Sequence, residues 1–296
     1  MSTKLILVTG ATGATGGYAL RHLLNRGVRL RALVHSDDER AAALRADGIE
    51  TVMGDLLEFD TVRAALQDVD AAYFVYPIRP RLLDATAYFA EAAREAGVQA
   101  IVNMSQISAR RDAVSHAAHD HWFAEQVLDW SGVPTTHLRP TFFMEWFLYA
   151  FQRPLIAEHD TLRVPAGEGS HAPIAAIDQG RVIAEILLNP QRHAGKVYPL
   201  FGATEMSHRQ IAEVLSQVLG RTIAYDAESL QDFAARLSHT SLPEYFIQHI
   251  CAVYKDYQRG AFAGNNHTVS SITGHEPTTI EDFVRAHRAA FEPEDK

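Results

Sequence analysis

The run LILVTGATGATGG, residues 5 to 17, limits the fold of everything after it. Leu5-Ile6-Leu7-Val8 is a short apolar run of the kind that forms a buried strand, and Tyr18 to Gly27 reads as a helix that stops at a glycine. Glycines stand between them at positions 10, 13 and 16. Gly10 lets the chain turn off the strand, Gly13 lets a pyrophosphate approach the backbone, and Gly16 lets the helix lie close to its sheet. The helix N-terminus then offers unpaired N–H groups and the positive end of a dipole to phosphates. A glycine-rich turn without a ligand is the alternative. The place of the motif on the first strand, with a βαβ pattern behind it, favours the opening unit of a dinucleotide-binding fold.

That pattern continues in order. Strands are expected at Val28–Val34, Ile49–Met53, Ala71–Tyr76, Val98–Asn103 and Val133–Leu138, with helices at Glu39–Ala46, Phe59–Leu66, Arg81–Ala96 and His116–Trp130. The alternation predicts an α/β, Rossmann-like, doubly wound parallel sheet over residues 1–140. Beyond it the sequence becomes irregular and aromatic, and residues 141–296 read as a smaller α+β lobe that binds substrate and is partly interleaved with the first domain. Short strands are expected at Leu162–Pro165 and Ala172–Ala176, then a helix capped by Asp178 and running to Leu188, and a strand at Val197–Leu200. Helices follow at Arg209–Leu219 (N-capped by Ser207), Ser229–Leu237, Pro243–Tyr257 and Ile280–Ala290, before an acidic tail, 292–296, expected to fray.

A net charge of −9 argues against a nucleic-acid partner held through phosphates. No stretch reaches the roughly 20 apolar residues of a membrane span, so no membrane partner is expected. The single cysteine, Cys251, rules out an intramolecular disulfide and suits a reducing, cytoplasmic compartment. His116, His119 and His121 fall within six residues, but a helix can put at most two on one face, and neither a cysteine nor H-E-x-x-H supports them, so no metal is expected.

VTGATGATGG, the Gly54-Asp55-Leu56 triplet, SGVPTTHLRPTFFMEWF (131–147) and IDQGRVIAEIL (177–187) resemble the NmrA-like branch of atypical short-chain dehydrogenases. That branch includes NADPH-dependent quinone and dye reductases, azoreductase-like enzymes and redox-sensing regulators. The likeness is good from residue 3 to about 190. It implies that Gly10, Thr12, Gly13, Ala14, Thr15 and Gly16 hold the pyrophosphate, and that Asp55 and Leu56 flank the adenine. It also puts Val75 and Tyr76 beside the adenosine ribose, Met104 and Ser105 near the nicotinamide ribose, and Pro140, Thr141 and Phe142 behind the nicotinamide. Ordinary core packing is the other reading of Tyr76 and Phe142.

NAD-preferring sites usually end the second strand with a carboxylate for the ribose 2′-OH. Here the strand ends Val34-His35-Ser36. His35, Ser36 and Arg40 would suit a 2′-phosphate, favouring NADP(H) with NAD(H) possible. Asp37 and Asp38 would oppose that phosphate if they faced it, and a surface role for His35 is the alternative. The Tyr-x-x-x-Lys pair of the wider superfamily is missing, with no lysine between Lys4 and Lys196. Quinone-reductase-like members carry His-x-x-x-Glu instead, and His121 and Glu125 match it. His121 would give a proton or hydrogen bond to the substrate with Glu125 orienting it; alternatively the pair is a helix-face contact.

Gln106, Phe143, Trp146 and Tyr149 are the expected substrate walls, suiting a flat substrate. The expected function is hydride transfer from NADPH to a small electron-poor organic molecule such as a quinone, dye or imine, by a monomer or homodimer. A non-catalytic NADP(H)-binding redox sensor is the alternative, and the missing Tyr–Lys pair disfavours a sugar-nucleotide epimerase.

Overall fold

The computed structural model describes residues 3–293, so positions 294–296 of the acidic tail lie outside the described residues. In chain order the elements are β1 (Leu5–Val8), α1 (Ala14–Leu23), β2 (Arg29–Val34), α2 (Glu39–Ala46), β3 (Glu50–Met53), α3 (Phe59–Ala65), β4 (Ala71–Phe74), α4 (Leu82–Glu95), β5 (Ala100–Met104), α5 (His116–Trp130) and β6 (Thr135–Pro140). There follow α6 (Arg153–His159), β7 (Thr161–Arg163), β8 (Ser170–His171), α7 (Ala176–Leu188), β9 (Val197–Leu200), β10 (Met206–Ser207), α8 (His208–Leu219), β11 (Ala224–Asp226), α9 (Leu230–Ser238), α10 (Glu244–Gln258), α11 (Thr268–Thr273) and α12 (Ile280–Ala286).

The chain divides into two compact units. The first comprises residues 1–112, 117–139 and 176–199; the second comprises 113–116, 140–175 and 200–296. In the first, the strands form a sheet in the order β3-β2-β1-β4-β5-β6-β9. Every neighbouring pair from β3 through β6 is parallel. The reversal of strand order between β1 and β4 is the switch point at which doubly wound sheets bind ligands. Strands β1, β4 and β5 are buried along their whole length, which is why they are apolar runs and not alternating ones.

Under the sheet, Phe74 and Phe89 meet at 4.7 Å, within a core that includes Leu5, Leu7, Val62 and Ile101. The helix α7 packs against α1, and the close approach falls at Gly180, where a Cβ would lie 2.8 Å from the Tyr18 carbonyl carbon.

The second unit is less regular. A two-stranded antiparallel ladder joins β8 to β10, and β11 runs parallel to β7. Ser207 caps α8 in a full capping box with Gln210, as its sequence position suggests.

Several expectations are corrected. Ala172–Ala176 is not a continuous strand; it makes only an isolated bridge at Ile174, whose N–H donates to the Phe142 carbonyl at 3.0 Å. Asp178 is not the residue that precedes its helix, because α7 already begins at Ala176; Asp178 lies in the first turn and accepts from Arg181 at 2.8 Å. The last helix stops at Ala286 and a 3-10 turn, Arg288–Phe291, follows it. Helices α6 and α11 carry no strong periodicity and are absent from the sequence reading.

Candidate functional site

The glycine loop shows its logic in backbone geometry. Gly10 has φ +58°, a left-handed conformation that favours glycine, and Gly16 touches the loop so closely that a Cβ there would lie 2.7 Å from the Gly10 carbonyl carbon. The first intrahelical bond of α1 runs from Gly17 N–H to Gly13 C=O at 2.9 Å. The N–H groups of Ala14, Thr15 and Gly16 therefore come before the helical ladder, and no acidic side chain sits in that first turn. Thr12 and Gly13 are exposed. An exposed loop with free N–H groups and no carboxylate suits a pyrophosphate.

The loop is tied to the neighbouring strand by side chains. Thr9 Oγ1 accepts from Val75 N–H at 2.9 Å, and Thr15 Oγ1 lies 2.9 Å from the Tyr73 hydroxyl. Tyr73 is fully buried, and burial pushes its phenol well above the usual range, so it stays neutral. The sequence reading missed Tyr73, whose only signal was its place in an apolar strand. Tyr76 is also buried, with its hydroxyl donating to Pro80 C=O at 3.1 Å and accepting from Arg79 at 3.0 Å.

At the end of β2 the predicted residues separate. His35 is exposed, 3.5 Å from both Ser36 Oγ and Asp55 Oδ2. Asp55 also accepts from Leu57 N–H at 2.9 Å, which fixes the turn holding Leu56. Arg40 does not join His35. It binds Asp38 at 2.6 and 3.0 Å, and Asp38 in turn caps α2; the Arg40 hydrogen bonds hold its carboxyl below the usual range. Asp37 is held by Arg45 at 2.7 Å. Both carboxylates that would have opposed a 2′-phosphate thus already have arginine partners.

Three buried side-chain atoms in the β5–α5 region have no hydrogen-bond partner among the described residues: Ser105 Oγ, Gln106 Nε2 and His121 Nδ1. Orphaned buried polar atoms are rare and call for a ligand or a water. Met104 is buried beside Ser105, and Gln106 Oε1 accepts from Ser108 at 2.8 Å.

Burial lowers the His121 pKa to about 4, only partly offset by the Glu125 charge. Its imidazole is therefore neutral near pH 7. Both Glu125 oxygens accept from Arg139, at 2.9 and 2.5 Å, so the residue expected to orient His121 is itself held by an arginine from β6. That hydrogen-bonded pair raises the Arg139 pKa. Arg139 lies within the block that carried the family resemblance, but its partner could not be read from spacing.

The remaining predicted residues lie in the second unit. Thr141 Oγ1 donates to Ala172 C=O at 2.7 Å, directly after Pro140. Phe142 is buried, with Trp146 and Phe262 at 4.9 Å and Tyr254 stacked at 5.3 Å. Trp146 stacks on Tyr149 at 5.7 Å, and Phe143 makes a parallel bridge to Ile174. Phe142, Phe143 and Trp146 line one aromatic cavity of this unit, together with Gln152, His171 and His208, which sequence reasoning passed over. Among the described residues, no helix is long and apolar enough to cross a membrane.

A family model described as the NmrA-like family matches residues 2–284. The chain is 33% identical to an NAD(P)H azoreductase of Xenophilus azovorans over 289 residues, spanning 97% of this chain and 99% of the relative. It is 28% identical over 283 residues to quinone oxidoreductase 2 of Escherichia coli strain K12, spanning 95% and 97%. A crystal structure of an Escherichia coli NADPH-dependent quinone oxidoreductase in complex with NADPH superposes with a TM-score of 0.86 at 28% identity, covering 96% of this chain and 99% of that one.

Proposed function

Because the chain belongs to the NmrA-like family, we propose that it is an NADPH-dependent reductase of small, electron-poor organic molecules such as quinones, azo dyes or imines. The observation that carries this reading is the glycine cradle: left-handed Gly10, a Gly16 that admits no Cβ, and a helix N-terminus without an acidic residue. The similar azoreductase and quinone oxidoreductase, matched over nearly their whole lengths, support the reaction class.

A bound reduced nicotinamide supplies the hydride. The chain's own residues do the rest. The N–H groups of Ala14, Thr15 and Gly16, with Thr12 beside them, bind the pyrophosphate. Asp55 and Leu56 hold the adenine end, and Val75 and Tyr76 border the adenosine ribose. His35 and Ser36 meet the 2′-phosphate, joined by Arg40 once that side chain turns from Asp38.

Met104 and Ser105 border the nicotinamide ribose, where Ser105 Oγ gains the hydrogen-bond partner it lacks. The segment Pro140, Thr141 and Phe142 backs the nicotinamide, and Gln106, Phe143, Trp146 and Tyr149 contact the substrate. A neutral His121 cannot deliver a full proton from an imidazolium at pH 7; it donates a hydrogen bond to substrate oxygen or nitrogen. Acceptors that take hydride readily need no stronger acid.

The test is NADPH consumption by the purified protein against a panel of a benzoquinone, an azo dye and a cyclic imine. Turnover of at least one above the protein-free rate is expected. Tight NADPH binding with no consumption across the panel would overturn the reductase reading in favour of a redox sensor.

A further inference from the structure

The cradle on β1 carries no positive side chain. From Leu5 to Leu20 the chain has no lysine or arginine, so the glycine loop offers a pyrophosphate N–H groups but no cation. The other wall of the switch point is the end of β4, and the two are tied together. Val75 N–H donates to Thr9 Oγ1 at 2.9 Å, and Thr9 N–H donates to Tyr73 C=O at 3.1 Å. A Cβ on Gly10 would meet Val75 Cγ1 at 2.5 Å. The residues that follow Val75 therefore leave the sheet beside the loop, where this architecture binds ligands.

Those residues are Tyr76-Pro77-Ile78-Arg79-Pro80-Arg81. The prolines fix φ on either side of Ile78-Arg79, and Arg79 N–H closes a tight turn onto Pro77 C=O at 2.8 Å. The buried Tyr76 holds that turn through its hydroxyl, which donates to Pro80 C=O at 3.1 Å and accepts from Arg79 Nε–H at 3.0 Å. The Arg79 guanidinium lies 4.9 Å from the centre of the Tyr76 ring. Arg79 is exposed and is bonded through Nε alone, which leaves the N–H groups of both Nη atoms uncommitted.

Other arginines of the cofactor end are already neutralised. Arg81 binds Asp84 at 2.7 Å, Arg40 binds Asp38 and Arg45 binds Asp37. Arg79 has no carboxylate partner among the described residues; a phenol hydroxyl orients it instead. An oriented guanidinium with uncompensated charge and a free Nη edge matches a pair of phosphate oxygens.

We infer that Arg79 is the cationic ligand of the cofactor's pyrophosphate, and that Tyr76 is the positioning residue that presents it. Strand β1 stands between β2 and β4, so His35 and Arg79 flank the cradle on opposite sides. His35 serves the 2′-phosphate, which only NADPH carries. Arg79 serves the pyrophosphate, which NADPH and NADH share. The inference rests on the dinucleotide reading of the cradle.

The test is fluorescence titration of the full chain and its variants with NADPH and NADH. Arg79→Ala should weaken both by the same factor, about tenfold, the loss of one charge-assisted contact. Arg79→Lys should recover part of that loss, because it supplies charge without the fork. Added sodium chloride should weaken NADPH less steeply in Arg79→Ala than in the unaltered chain. Tyr76→Phe should weaken NADPH about threefold and add nothing in the Arg79→Ala background. Unchanged affinity in a folded Arg79→Ala overturns the assignment, as does a loss confined to NADPH. If Arg79→Ala does not fold, Arg79→Lys decides: equal weakening of both cofactors is expected, and undiminished affinity overturns the assignment. NADPH consumption with benzoquinone is read on the same preparations. Binding that depends on Arg79 without consumption keeps this assignment and removes the reductase reading, whereas consumption with binding indifferent to Arg79 does the reverse.

Discussion

The two units line their concave surfaces in different ways. The first uses backbone: a loop whose shape needs glycine at 10 and 16, followed by free N–H groups. The second uses side chains: an aromatic wall with Gln152, His171 and His208 in it. A backbone cradle accepts any dinucleotide of the right shape. A side-chain wall changes its preference with each substitution.

Substitutions can break this contrast, and the largest effect belongs to the cradle. Gly16→Val puts side-chain atoms into the Gly10 backbone, so NADPH affinity should fall at least a hundredfold, measured by cofactor fluorescence, with circular dichroism unchanged. The second largest is Glu125→Ala, which strands Arg139 half-buried without its partner. It should cost about 3 kcal/mol, read as a lower urea midpoint at constant m-value.

Acidity distinguishes the units next. His121, in the first, has a folded pKa of about 4 against an ordinary 6.5, and His208, in the second, about 3. Between those values and 6.5 the unfolded chain binds more protons than the folded one. Stability is therefore full above about pH 6.5 and is lost as pH falls toward 4, by on the order of 3 kcal/mol for His121. His121→Phe should flatten that loss for the first unit and His208→Phe for the second, in thermal melts from pH 7 to pH 4. Smaller still, Ser207→Ala removes the capping box of α8 and should cost about 1 kcal/mol. The smallest effect is His35→Ala, which should reduce the NADPH-over-NADH preference only a few-fold, because His35 is exposed and Arg40 remains.

The first unit was legible in sequence because its determinants are local. Apolar runs became buried strands, and the helices at Glu39–Ala46 and His116–Trp130 have the expected limits. In the second unit the determinants are long-range. Tyr257 meets His171 across 86 residues and His208 across 49, and no spacing rule links them. Gln152 lies on a short helix with Pro154 in its first turn and no apolar stripe, so nothing marked it. His121 and Glu125 show the limit of helical spacing. Four residues apart suggests a pair, yet Glu125 is bonded to Arg139, from the following strand.

The most direct measurement is a fluorescence titration of the purified chain with NADPH, NADP⁺, NADH and NAD⁺. Saturable NADPH binding, tighter than NADH, is the expected result. Binding of none of the four would contradict the cradle itself, and the reductase assignment would fall with it.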